Sequence, residues 1–88
     1  MKLKELVQKL KESGNVSWKM FDLWVQELEI SAAVCKLNSS ISVREELTAN
    51  YHQVYGFLRG LQSLEYITDE EMRMYGDELI NIAYNWGV

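Results

Sequence analysis

The chain has 88 residues, 48% of them hydrophobic, with three Trp, five Tyr, two Phe, one Cys, no Pro and a net charge of −4. One folded domain over residues 1–88 follows from this length and apolar content, and disorder is excluded because so much apolar surface offsets the entropy of ordering. A lone cysteine excludes a disulfide scaffold, no apolar run approaches the ~20 residues that cross a bilayer, and the acidic balance opposes a phosphate-binding surface.

Helical spacing begins at once. Leu3, Leu6, Val7 and Leu10 recur at i, i+3, i+4 and i+7, predicting a first helix over about Lys2–Ser13. Its Lys residues interrupt any apolar h-region, so no signal peptide is expected and the cytoplasm is the expected compartment. Gly14 suits the left-handed residue that closes a helix, and Asn15 or Ser17 suits the cap of the next. The second helix runs to about Leu37 and carries two apolar stripes. Phe21, Trp24, Val25, Leu28, Ala32 and Cys35 form one, and Leu23, Ile30, Val34 and Leu37 form another on a different side. A helix apolar on two sides is either central in its own fold or holds a partner on the second side.

After Asn38-Ser39-Ser40, the segment Ser42-Val43-Arg44-Glu45 has the form of a capping box opening a third helix to about Leu64. Val43, Leu47, Tyr51, Val54, Leu58 and Leu61 make its core face. Opposite lie Ala49, Gly56, Gly60 and Ser63. Each interior Gly costs about 1 kcal/mol relative to Ala in a helix, so two on one stripe suggest close approach of another helix. Thr68-Asp69-Glu70-Glu71 is a second capping box, with Ile67 and Met72 placed as a hydrophobic staple. The fourth helix runs from there to about Trp86, with Met72, Tyr75, Leu79, Ile82, Ala83 and Trp86 on one face. Five Gly are too few and too scattered for an all-β chain. The expected architecture is all-α, an antiparallel bundle of four helices, completed by self-association if the second stripe is covered by another copy.

Chemistry-bearing patterns are sparse. His52 is the single histidine and its helical neighbours are Thr48 and Gly56, which supply no acid–base partner. Cys35 falls on an apolar stripe, where thiols act as small hydrophobes. Asp69 to Glu71 lack the spacing of a calcium loop, and no glycine-rich phosphate loop is present. Trp18, Trp24 and Trp86 sit at helical spacing on apolar faces and read as core. The sequence thus points away from an enzyme and implies no cofactor, metal or small-molecule substrate. Charge is uneven, with Lys2, Lys4, Lys9, Lys11 and Lys19 early and Asp69, Glu70, Glu71, Asp77 and Glu78 late. That pattern fits solvated helix faces, or ends that dock on each other.

The segment Leu61-Gln62-Ser63-Leu64-Glu65-Tyr66-Ile67-Thr68-Asp69-Glu70-Glu71, followed by Tyr75 and Leu79, resembles helix hairpins of small uncharacterised proteins from Firmicute phages and mobile elements. The resemblance implies an accessory or inhibitor protein of a mobile element and carries no catalytic residue. The functional expectation is a non-catalytic protein–protein interaction module that self-associates through Leu23, Ile30, Val34, Leu37, Ala49, Gly56, Gly60 and Ser63. The alternative is a transcriptional regulator using Leu3 to Val34 as a helix-turn-helix-like unit on DNA. Asp22, Glu27 and Glu29 against Lys19 and Lys36 are the wrong balance for a groove.

Overall fold

The computed structural model describes residues 2–84, which form four helices and no strand: α1 (Lys2–Glu12), α2 (Trp18–Leu37), α3 (Ile41–Ser63) and α4 (Asp69–Tyr84). They make an all-α bundle. Successive helices run antiparallel, as the pairing of Lys4 with Glu29, Ser31 with Asn50, and Tyr51 with Tyr84 shows. α2 packs against all three others, whereas α1 and α3 do not meet.

The stripes predicted from spacing build one core. Leu3, Leu6 and Leu10 of α1, Phe21, Val25 and Leu28 of α2, Leu47, Val54 and Leu58 of α3, and Leu79 of α4 are almost wholly withdrawn from solvent. Burial of each such side chain is worth about 1.5–3 kcal/mol. Phe57, outside the predicted core face of α3, stacks on Phe21 with ring centroids 4.6 Å apart and meets Trp24 edge-on at 5.9 Å. Trp86 lies outside the described residues.

The turns follow from local hydrogen bonding. Gly14 adopts φ +79°. The amide of Asn15 donates to the Leu10 carbonyl at 3.1 Å and that of Gly14 to Lys11 at 3.2 Å, the paired bonds of a Schellman ending. Ser17 occupies the N-cap of α2 without capping through its hydroxyl; instead Asn15 Oδ1 accepts from the Ser17 amide and hydroxyl. α3 also closes with a Schellman pair, Tyr66 to Leu61 and Glu65 to Gln62, but Glu65 holds the left-handed position at φ 60°.

One predicted cap is misplaced and the other is in place. The capping box at Ser42 does not form, because α3 starts at Ile41: the Ser40 carbonyl already accepts the Arg44 amide at 3.0 Å, which puts Ser42 inside the first turn. At α4 both box bonds are made, Glu71 amide to Thr68 Oγ1 at 3.0 Å and Thr68 amide to Glu71 Oε1 at 2.9 Å. The staple residues Ile67 and Met72 are both buried. The uneven charges also find a use. Glu78 of α4 accepts from the Lys2 and Leu3 amides at 3.0 and 3.2 Å, placing an anion on the positive end of α1. The acidic end thus docks on backbone amides of the basic end rather than on its lysines.

Candidate interaction surface

The two stripes of α2 part company in the fold. Phe21, Val25, Leu28, Ala32 and Cys35 are buried, and Trp24 is half-buried against the same core. Leu23, Ile30, Val34 and Leu37 stay 45%, 62%, 43% and 91% exposed, and Met20 joins them at 49%. α2 is therefore central in its own bundle and still apolar toward solvent, because three neighbours cover only part of its circumference. Met20 was missed from sequence. Its signal was the alternating 3-and-4 spacing Met20, Leu23, Glu27, Ile30, Val34, Leu37, which is that of a helix–helix seam.

The small stripe of α3 lies open as well. Ala49, Gly56, Gly60 and Ser63 are exposed, and a Cβ added at Gly56 or Gly60 would meet nothing within 4 Å. Close helix approach, the reason expected for these glycines, is not made within the chain. Sequence position turns both stripes to the same side of the α2–α3 pair. A shallow crease of about 280 Å³ marks the join, where Glu27, Ile30 and Ser31 face Glu46 and Asn50. Beneath it the Asn50 amide donates to the hydroxyl of Ser31, the one buried polar side chain among the described residues. Sequence reasoning had no signal for that pair, since each residue alone reads as surface. No buried side-chain polar atom is left unpartnered among the described residues.

A larger groove, about 750 Å³, runs between α3 and α4. Tyr51, Tyr55 and Arg59 line one wall, Arg73, Asp77 and Ile80 the other, with Met72 and Gly76 also lining it. Tyr51 stacks on Tyr55 at 6.0 Å and tilts against Tyr84 at 5.4 Å. Its phenol is pushed above the usual range by burial first, then by the two neighbouring tyrosines. His52 lies at the rim of this groove, exposed, with the Tyr51 ring edge-on at 5.5 Å. No carboxylate or thiol is hydrogen-bonded to it among the described residues, so the groove presents mixed polar and aromatic surface without an acid–base pair.

No protein-family model, curated protein or solved structure matches this chain. The physical features of its surfaces therefore carry the functional reading. Cys35 is a buried thiol. No group of three or more His, Cys, Asp or Glu is arranged to hold a metal ion among the described residues. No described helix is long and apolar enough to cross a membrane. The α3–α4 groove is larger than the crease beside α2, but the α2 face departs further from an ordinary surface. Single exposed apolar residues are common, whereas five on one helix face, interrupted only by Glu27, leave water against an apolar patch.

Proposed function

We propose that the chain is a small non-catalytic protein-interaction module that self-associates through the open face of α2 and α3. The observation that carries this reading is the seam of Met20, Leu23, Ile30, Val34 and Leu37, left exposed on a helix whose other side is fully used by the core. Covering apolar surface is worth about 25 cal/mol per Å², so a folded chain with such a seam gains by meeting another apolar surface. The same observation favours a protein over DNA as partner. The outward side of α2 offers aliphatic groups where a groove-reading helix needs donors and cations.

Sedimentation equilibrium at micromolar concentration tests the reading. The wild-type chain is expected to associate, and Ile30→Glu, at the middle of the seam, is expected to be monomeric with unchanged helix content. Placing a carboxylate in an apolar contact costs far more than the ~1 kcal/mol by which a surface change usually alters folding. A wild-type chain monomeric throughout that range would remove self-association as the function.

A further inference from the structure

We infer that two copies of the chain pair about one two-fold axis that passes α2 between Leu28 and Glu29 and α3 between His52 and Gln53. α2 then lies antiparallel to its counterpart, and α3 to its own. This geometry rests on the self-association proposed above and specifies it.

The α2 seam sets the level of the axis, and the alignment of α2 with α3 carries it across. On α2, the seam from Met20 to Leu37 has its midpoint between Leu28 and Glu29. Antiparallel pairing there sets Met20 against Leu37 of the partner subunit and Leu23 against Val34 of the partner subunit. Glu27 falls against the partner's Ile30, a polar seam position of the kind that sets register at a cost in affinity. On α3, the level between His52 and Gln53 sets Ala49 against Gly56 of the partner subunit, and Gly60 against Glu45 of the partner subunit. The Ser31–Asn50 bond and the Trp24–Phe57 contact align the two helices so that this level of α3 stands opposite the midpoint of the α2 seam.

Both stripes face the same side, as the crease between Glu27, Ile30 and Glu46 indicates, so one axis serves both. The large side chains of α2 meet their counterparts, and the open space over Gly56 and Gly60 lets the two α3 helices approach closely. Charge agrees with this arrangement. Glu45 and Arg59 are exposed and make no ion pair among the described residues, and they flank the small stripe. The axis brings Glu45 within one residue of the level of the partner's Arg59, twice by symmetry. With roughly 100 Å² still open on each of five α2 side chains, two copies cover on the order of 1,000 Å² before α3 is counted, the size a specific interface needs.

Cysteine cross-linking decides the geometry, using exposed positions that leave the core intact. Under mild oxidation Gln53→Cys, beside the axis, is expected to form a covalent dimer. Ser63→Cys is expected to stay uncoupled, since its two copies stand about 30 Å apart along the helices at 1.5 Å per residue. The wild-type chain, whose Cys35 is buried, is the control. Cross-linking at both positions, or at neither while sedimentation still finds a dimer, overturns the two-fold arrangement and leaves self-association standing. A monomeric mass removes both. Glu45→Arg and Arg59→Glu should each weaken dimerisation about fivefold, two symmetric pairs being lost at once, and the double variant should restore it. No restoration overturns the Glu45–Arg59 pairing and with it the axis position.

Discussion

Glu65 is the residue whose backbone the fold holds against its preference. It closes α3 at φ 60°, where a side chain costs roughly 1–2 kcal/mol and glycine costs nothing sterically. Glu65→Gly is therefore expected to raise stability by about 1 kcal/mol, read as a higher denaturation midpoint. An unchanged or lower midpoint would mean that the Schellman turn does not require the left-handed residue. Thr68 and Glu71 make the opposite case, a position where sequence and structure agree. The Glu71 carboxyl is held below its ordinary value, chiefly by the Thr68 amide that donates to it, against the opposing cost of burial and with lesser help from the Thr68 side chain and Lys9. A carboxylate lowered on folding contributes stability that is present above its unfolded value and lost as pH falls through the folded one. Thermal midpoints of the wild type should thus drop more steeply than those of Glu71→Gln as pH is taken below the ordinary carboxyl value of 4.5. Parallel profiles would show that the ionised state of the box contributes nothing.

Among the elements, α3 is the one in which propensity and position conflict. Gly56 and Gly60 weaken the helix by about 1 kcal/mol each relative to Ala, and no neighbour in the chain occupies the space above them. Gly56→Ala and Gly60→Ala should consequently stabilise the monomer by up to about 1 kcal/mol each, measured at concentrations where association is negligible. The same changes should weaken the dimer, because a methyl group enters a close helix contact and overpacking costs about 1–3 kcal/mol. The diagnostic result is this divergence, a higher melting midpoint together with a weaker dissociation constant. If both rise in stability together, the small stripe faces water in the dimer as well. α2 poses no such conflict: its buried side and its open seam are both built of good apolar residues, and only their surroundings differ.

At the scale of the whole molecule, the all-α class, the four elements and nearly all core positions were legible in the chain, because amphipathic spacing reports which side chains share a face. Gly14 and the Thr68–Glu71 box were legible for the same local reason, since their bonds close within one turn. The start of α3 was not, because Ser40 and Ser42 are equally good caps and the choice between them lies in backbone geometry. The fates of the two α2 stripes were open too. Spacing showed two apolar sides, but whether the second was covered depended on how three other helices surround α2, a matter of packing between elements far apart in sequence. The Ser31–Asn50 pair, the cap that Glu78 places on α1 and the level at which α2 meets α3 likewise exist only once the helices are assembled. Interactions within a few residues of one another were set by the sequence alone; those between helices were decided by tertiary packing, because periodicity specifies a face but not what lies against it.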